Sequence, residues 1–242
     1  MKITILTLFK EMYENFLNTS IISRIIDKGL IEIKVVDIRD YSLDKHRHVD
    51  DTPYGGMAGM LMKVDVVDRA LKDNKTDNSY VLLTSPKAYP LKQKDFKRLI
   101  EKKDIVIICG HYEGIDARIE NYVDEKVSIG DYILTGGELA SMVLVDGISR
   151  LLDEAISPNS LKEESYNDNL LEYPQYTRPK EYDGYSVPEV LQNGNHKEIN
   201  RFNLKNAISE TLKYRPDLLA KKTLNKEEKE LLDEILSDIE EK

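Results

Sequence analysis

Three segments rich in glycine or proline carry the residue types that suit a ligand site. They are residues 83–86 (Leu-Thr-Ser-Pro), residues 109–116 (Cys-Gly-His-Tyr-Glu-Gly-Ile-Asp) and residues 128–138, and each follows an apolar, strand-like run. Glycine lets a flat, polar ligand approach the backbone N–H and C=O groups closely. Five of the twelve glycines lie between Gly110 and Gly137. The sequence therefore predicts a ligand site in loops late in the fold.

The glycine positions also argue against two common phosphate-binding sites. The turn after the first predicted strand reads Leu8-Phe9-Lys10-Glu11 and has no glycine, whereas a dinucleotide-binding fold places a glycine-rich turn there. The chain contains no Gly-x-x-x-x-Gly-Lys-Ser/Thr sequence. A magnesium-dependent nucleotide hydrolase using Asp50 and Asp51 is therefore a poor interpretation, because it would lack a phosphate loop.

Strands and helices alternate around these loops. The predicted strands are residues 2–8, 31–37, 80–84, 104–109 and 126–129. The predicted helices between and after them are residues 64–74, 92–102 and 139–152. This alternation is typical of an α/β fold with a mainly parallel sheet.

The polar stretch of residues 162–169 interrupts this alternation and indicates a linker. Beyond Tyr173-Pro174 the apolar spacing is helical only. We therefore predict an α/β domain over residues 1–156, a flexible linker over 157–172 and a small all-helical domain over 173–242.

The composition is that of an ordinary globular protein, with 40% hydrophobic and 33% charged residues. The single cysteine, Cys109, cannot form an internal disulfide, and no Cys/His spacing of metal-site type accompanies it. The apolar run at the N-terminus is too short for a membrane span. We expect a cytoplasmic protein with no membrane partner and no predicted metal ligands.

The formal net charge of −9 argues against a uniformly basic nucleic-acid binder. The charge is unevenly distributed, however. Residues 196–222 contain seven lysines or arginines against three acids, whereas residues 223–242 contain eight acids against three lysines. Much of the acidity is therefore predicted to lie in one terminal helix that need not face a polyanion.

Four motifs together resemble the tRNA (guanine-N1)-methyltransferase family, TrmD, of the knotted SPOUT superfamily. They are Pro-Tyr-Gly-Gly at 53–56 with Gly59-Met60, Gly-His-Tyr-Glu-Gly at 110–114, Ser-Ile-Gly-Asp-Tyr at 128–132 with Leu-Thr-Gly-Gly-Glu at 134–138, and Tyr-Pro-Gln-Tyr-Thr-Arg-Pro at 173–179. The resemblance covers essentially the whole chain. Their order and length make them far more specific than a single glycine motif.

The resemblance implies that the α/β domain is folded with a deep trefoil knot and that the protein is a homodimer. It also implies that the three glycine-bearing segments bind S-adenosylmethionine in a bent form. The implied cofactor contacts are Ser85, Pro86, Gly110, Tyr112, Glu113, Gly114, Ile129, Gly130, Tyr132, Leu134, Gly136 and Gly137. A dependence on magnesium is implied as well, although no set of metal ligands in the sequence is diagnostic.

The reaction implied is methylation of N1 of the guanine at tRNA position 37, on the 3′ side of the anticodon. Guanine N1 carries a proton at neutral pH, so the site needs a base for this proton and a cation or donor for the charge on O6. The family's arginine corresponds to Arg150. Its aspartate base corresponds to Glu164, one methylene longer, and Glu163 or Asp168 are alternatives.

The loop at residues 50–60 is implied to hold the guanine after the base has left its stack. The residues implied to contact the base are Asp50, Tyr54, Gly55, Gly59 and Met60. Met57 stands where the family usually has a third glycine, which makes this loop bulkier.

The helical C-terminal domain is implied to hold the anticodon arm of tRNA, with no DNA partner. Its basic residues Arg178, Lys180, Arg201, Lys205 and Lys213 alternate with tyrosines, which suits phosphate contacts and stacking on unpaired bases. Two alternatives stay open: another SPOUT RNA methyltransferase, and a non-enzymatic RNA-binding protein that keeps the knot.

Overall fold

Five apolar runs form a parallel sheet in the computed structural model, which describes residues 1–155, 164–166 and 168–240. The strands of this sheet are β1 (Lys2–Thr7), β2 (Glu32–Asp37), β5 (Tyr80–Thr84), β6 (Asp104–Ile108) and β7 (Glu125–Val127). Two further strands, β3 (Asp50–Asp51) and β4 (Leu61–Met62), form a separate antiparallel ribbon. The sheet belongs to the first of two compact units, Met1–Ile156 and Ser157–Lys242.

The hydrogen-bonded order of the sheet is β2-β1-β6-β5-β7, and each neighbouring pair is parallel. Alternate residues of one strand enter different apolar cores. In β6, Ile105 and Ile107 pack into one core, whereas Val106 and Ile108 pack into the other. Both faces of the sheet are therefore covered, as continuous apolar strands of a parallel sheet require.

Helices cover the sheet and supply the remaining core residues. They are α1 (Glu14–Leu17), α2 (Ser20–Asp27), α3 (Val64–Asn74), α4 (Gln93–Leu99) and α5 (Glu138–Ser149). Short 3-10 helices span Lys10–Tyr13, Ile38–Tyr41, Ile100–Lys102 and Ala117–Tyr122. Helix α5 matters most for the site, since it begins directly after the Gly-Gly pair of the third glycine-bearing segment.

The predicted α/β architecture with a mainly parallel sheet is confirmed. The helix predicted at residues 64–74 has those bounds, and the one predicted at 92–102 is divided into α4 and a 3-10 turn. The fifth strand is present, but it spans Glu125–Val127 and so ends two residues before the predicted end at residue 129. The β3–β4 ribbon was missed because two-residue strands give no periodic signal.

The second unit contains the helices α6 (His196–Tyr214), α7 (Pro216–Leu219) and α8 (Lys226–Glu240), with a 3-10 helix at Glu189–Gln192. It also contains a hairpin of β8 (Glu181–Tyr182) and β9 (Tyr185–Ser186). The expectation that residues 173–242 contain helices only was therefore wrong. An Asp183-Gly184 turn with positive φ at both residues closes the hairpin, which is a common two-residue hairpin turn.

Helix α8 is held on α6 by an apolar core and by ion pairs at its edge. Ile208, Leu219, Leu231 and Ile235 are buried together. Outside this core, Lys205 Nζ lies 3.1 Å from Asp238 and 3.3 Å from Glu234. The Arg201 guanidinium also pairs with Glu234. Two basic residues expected to contact RNA are thus engaged by the acidic terminal helix.

The predicted linker is described only in part. Residues 156–163 and 167 lie outside the described residues, and so does the alternative base Glu163. In the described part, the Tyr166 N–H donates to the Leu170 carbonyl at 2.9 Å and the Glu172 N–H donates to Ser165 Oγ at 3.0 Å. None of the described helices is long and apolar enough to cross a membrane.

Candidate functional site

A cavity of about 530 Å³ opens where β5, β6 and β7 end. Its walls include loop 1 (residues 85–87), loop 2 (residues 110–117) and loop 3 (residues 128–137). The carboxyl ends of parallel strands meet at one edge of a sheet, so these loops start close together. All twelve residues expected at the cofactor line this cavity: Ser85, Pro86, Gly110, Tyr112, Glu113, Gly114, Ile129, Gly130, Tyr132, Leu134, Gly136 and Gly137.

Backbone hydrogen bonds join the segments around the cavity to one another. The Gly137 N–H donates to the Gly110 carbonyl at 2.7 Å, which connects loop 3 to loop 2. The Ser85 N–H donates to the Val127 carbonyl at 2.8 Å, which connects loop 1 to the end of β7. These backbone bonds hold the three segments at the rim of one cavity.

The cavity wall combines apolar surface with a few polar groups. Ile115, Ile119 and Ala140 line it together with the backbone of the glycines. Glu113 contributes an exposed carboxylate, and Glu120 is paired with Lys126 at 2.9 Å. Such a mixture suits a small organic ligand with a flat apolar part and polar or positively charged ends.

The ring of His111 is packed within loop 2. It lies 4.8 Å from the Phe9 ring and 5.2 Å from the Tyr112 ring, measured between centroids. Its backbone forms an antiparallel bridge with Gly136 of loop 3. Its Nδ1 is buried without a hydrogen-bond partner among the described residues. His111 therefore supports the junction of loops 2 and 3.

A buried polar cluster lies between the sheet and helix α5. The Tyr13 hydroxyl is 2.6 Å from Ser141 Oγ and 3.5 Å from Cys109 Sγ. Burial is the main cause that raises the pKa of the Tyr13 hydroxyl, and it raises the pKa of the Cys109 thiol to about 12. The only cysteine is thus a neutral, unreactive thiol at physiological pH.

Glu138 belongs to the same buried layer. Its side chain is 3% exposed, and its Oε1 accepts a hydrogen bond from Thr7 Oγ1 at 2.8 Å. Glu138 is the first residue of α5, where the helix dipole favours a negative charge. This contact joins β1 to the helix that follows loop 3.

The β3–β4 ribbon carries the loop expected to hold guanine. Asp50 pairs with Met62 across the ribbon. Tyr54 at the tip is 99% exposed, and Gly55 follows it with positive φ. At the base of the loop, the Met60 carbonyl accepts a hydrogen bond from the Glu113 N–H at 3.1 Å.

Gly59 in the same loop lies against Glu113, since a Cβ there would be 2.4 Å from Glu113 Cγ. The end of the loop that contains Gly59 and Met60 is therefore attached to loop 2 of the cavity. The tip that contains Tyr54 and Gly55 points into solvent.

The two residues expected to carry the chemistry lie in different units. Arg150 caps α5 in the first unit, and its N–H donates to the Asp146 carbonyl at 3.1 Å. Among the described residues, Arg150 does not line the loop 1–3 cavity. Glu164 lies in the second unit and lines a separate cavity of about 330 Å³ with Asn200 and Asn203. The other described alternative, Asp168, pairs with Lys222.

Within the described parts of the chain, no group of three or more His, Cys, Asp or Glu side chains could hold a metal ion. Asp50 and Asp51 therefore do not assemble into a metal site with other described residues. Nearby, a backbone hydrogen bond from His46 lowers the pKa of Asp44, and the side-chain pair with His48 lowers it further.

The parallel sheet and its loop-lined cavity define an α/β protein with a candidate small-ligand site at the carboxyl edge of its strands. The model of the family described as tRNA (Guanine-1)-methyltransferase TrmD matches residues 1–221. The chain belongs to this family, and the resemblance inferred from the four motifs is confirmed.

Curated relatives with the name tRNA (guanine-N(1)-)-methyltransferase match nearly the full length of the chain. The protein of Syntrophomonas wolfei is 51% identical over 98% of this chain and 97% of its own length. The protein of Dictyoglomus turgidum is 45% identical over 100% of this chain and 99% of its own. That of Carboxydothermus hydrogenoformans is 48% identical over 96% of this chain and 92% of its own.

Several residues of the cavity were not predicted from the sequence. Lys87, Ile115 and Thr135 also line the cavity, and they could have been found because they lie within or next to the same three segments. Glu120 lines it as well, but it lies beyond the end of the second segment. The contact of Thr7 with Glu138 could not have been found, because 131 positions separate the two residues.

We predict that Gly137→Ala loosens the junction of loops 2 and 3. A Cβ at this position would lie 2.0 Å from Thr84 Oγ1 and 2.9 Å from Cys109 Cα. Overpacking of this kind typically destabilises a protein by about 1–3 kcal/mol. The free energy of unfolding, measured by urea titration with circular dichroism, should fall accordingly.

Gly110→Ala is the matched control, because its Cβ would meet no atom closer than 3.6 Å. The control should therefore stay near the wild-type stability. Equal losses in the two variants would show that close packing at Gly137 does not hold the loops together.

Proposed function

We propose that this protein transfers the methyl group of S-adenosylmethionine to N1 of the guanine at tRNA position 37, on the 3′ side of the anticodon. The observation that carries the proposal is the gathering of loops 1–3 around one cavity in a chain of the TrmD family. Membership of the family indicates the reaction, and the cavity offers a binding site for the methyl donor.

The cavity suits S-adenosylmethionine in size and chemistry. Its volume of about 530 Å³ falls within the usual range of small-molecule sites. Ile129 and Leu134 offer apolar walls for the adenine ring, while the glycines expose backbone groups for its hydrogen bonds. The Glu113 carboxylate suits a cationic ligand. When bound, the cofactor supplies an electrophilic methyl group on a sulfonium.

The residues of this chain then act on the guanine. Arg150 stabilises the negative charge that moves onto O6 as N1 becomes nucleophilic. Glu164 accepts the N1 proton as the general base. Asp168, the described alternative, is paired with Lys222. The loop with Asp50, Tyr54, Gly55, Gly59 and Met60 holds the flipped base.

The proposal includes a homodimer and the deep trefoil knot. On α5, the apolar side chains of Leu139 and Val143 are 50% and 45% exposed, and Ile133 of loop 3 is 80% exposed. Exposed apolar side chains grouped beside a ligand site are typical of a protein interface. The knot is inferred from membership of the family.

The hairpin of the second unit offers a surface for the anticodon arm. Tyr182 and Tyr185 are directly paired across β8 and β9, and they are 75% and 81% exposed. Lys180 directly precedes β8, and its carbonyl accepts a hydrogen bond from the Val187 N–H at 2.9 Å beyond β9. Two neighbouring aromatic rings beside a lysine suit stacking of unpaired bases with a phosphate contact.

The decisive test compares two tRNA transcripts that differ only at the 3′ neighbour of the anticodon. The protein should transfer labelled methyl from S-adenosylmethionine to the transcript with guanine and not to the transcript with adenine. The product should be N1-methylguanine, identified by mass spectrometry of nucleosides. Methylation of a ribose, or equal transfer to both transcripts, would point to another SPOUT activity.

Arg150→Ala should lower the rate of single-turnover methyl transfer by about 100-fold or more, the usual effect of removing a group that stabilises developing charge. Binding of S-adenosylmethionine, measured by calorimetry, should stay within about twofold of wild type. Arg24→Ala on α2, which removes an equal charge from an exposed helix, should leave both quantities unchanged.

Full activity of Arg150→Ala would remove this residue from the mechanism. The same assay assigns the base: Glu164→Gln should lose activity and Asp168→Asn should keep it. The reverse result would transfer the role to Asp168.

Replacing Tyr182 and Tyr185 together by serine should raise the dissociation constant for tRNA by about tenfold or more, because stacking contributes about 1–3 kcal/mol per base. The double phenylalanine variant should restore affinity, since phenylalanine keeps the stacking surface. Tyr89→Ser, which changes a 96% exposed tyrosine of the first unit, is the control. Wild-type affinity in the double serine variant would exclude the hairpin from RNA binding.

A further inference from the structure

We propose that Glu138 makes the loop 1–3 cavity prefer a cationic ligand over its neutral counterpart. In terms of the reaction, the buried carboxylate favours S-adenosylmethionine over S-adenosylhomocysteine, which has lost the sulfonium charge. This inference rests on the proposed function, because it takes the methyl donor to be the ligand of that cavity.

The first observation is that Glu138 is buried without a cationic partner. Glu138 is 3% exposed, and it forms no ion pair with a described lysine or arginine. The His111 imidazole lies on the same side of Gly136, where a Cβ would be 2.2 Å from Glu138 Oε2 and 3.2 Å from His111 Nε2. Its one described side-chain hydrogen bond comes from the neutral hydroxyl of Thr7. A buried charge is normally paired, because removal from water is costly. The dipole of α5 offsets only part of this cost.

The second observation places this carboxylate directly behind the cavity wall. A Cβ built on Gly136 would lie 2.2 Å from Glu138 Oε2 and 2.6 Å from His111 Cδ2. Gly136 itself lines the cavity. Only the backbone of Gly136 therefore separates the carboxylate from the ligand space on this side. A larger residue at position 136 would have to move the carboxylate or the imidazole.

The burial of the Glu138 carboxylate and its position behind the cavity wall together point to a cation in the cavity as its partner. The sulfonium of a bound methyl donor is a positive charge held in a cavity whose wall excludes water from Glu138. Coulomb attraction through such a medium is weakly screened and acts over several ångströms. Glu113 also lines the cavity, but it is exposed to solvent, where water and salt screen its charge.

This arrangement has a consequence for turnover. Methyl transfer removes the positive charge from the sulfur, so the attraction to Glu138 is present for the substrate and absent for the product. The product is therefore released more easily than it would be from a neutral cavity. Glu138 acts here as a specificity-determining residue that does not touch the reacting atoms.

The test measures dissociation constants by calorimetry for S-adenosylmethionine and S-adenosylhomocysteine, two ligands that differ only in the methyl group and its charge. Glu138→Gln keeps the side-chain volume and an acceptor for Thr7. It should weaken binding of S-adenosylmethionine by about fivefold, the order expected for a partly screened charge pair. The constant for S-adenosylhomocysteine should change by less than about twofold.

Two controls separate charge from structure. Thr7→Val removes the hydrogen bond to Glu138 but keeps the negative charge, so the two constants should change by the same factor. Glu32→Gln removes an equal charge from an exposed position at the opposite edge of the sheet, and it should change neither constant. If Glu138→Gln does not fold, Glu138→Asp is measured instead. This variant keeps the negative charge, so the ratio of the two dissociation constants should stay at the wild-type value.

An unchanged ratio in a folded Glu138→Gln protein would overturn the inference, and so would an equal loss for the two ligands. Loss of the preference for S-adenosylmethionine over S-adenosylhomocysteine in a folded Glu138→Asp protein would overturn it as well. Failure of the proposed function is a different result, since wild-type protein would then bind neither ligand.

Discussion

The cavity depends on the backbone hydrogen bonds that join segments from three strands, above all the bond from the Gly137 N–H to the Gly110 carbonyl. Glycine stands at both ends of this bond, and a side chain at Gly137 would collide with Thr84 and Cys109. The parallel sheet brings the loops to one edge, but this bond decides how closely they approach. The loop residues can then face the cavity.

A buried polar layer beneath the loops connects the first part of the chain to helix α5. Tyr13 reaches Ser141 of α5, and Thr7 at the end of β1 reaches Glu138 of the same helix. Both contacts fix the start of α5, which is also where loop 3 ends. Satisfied polar groups in an apolar interior have few alternative arrangements. Strand β1 does not line the cavity, but through these contacts it positions loop 3, which does.

The fold could be predicted from the sequence wherever its signal is local. The continuous apolar run that becomes β6 and the helical spacing of Val64–Asn74 determine their own structure. The three glycine segments likewise pointed to a common site. The β8–β9 hairpin was not predicted, because two-residue strands show no period. The hydrogen bond between Thr7 and Glu138 joins residues 131 positions apart. Such contacts arise only in the assembled fold, so they could not be predicted.

Charge distribution reconciles an acidic protein with a polyanionic substrate. The net charge of −9 includes the acids of α8, and part of that helix is neutralised within the second unit by Arg201 and Lys205. These two basic residues belong to the helix pair, so their charge is less available for phosphate. In the proposed tRNA complex, recognition would rely more on the exposed tyrosines of the hairpin, whose stacking is far less sensitive to salt than a phosphate contact. A protein that holds its RNA in this way can be acidic overall.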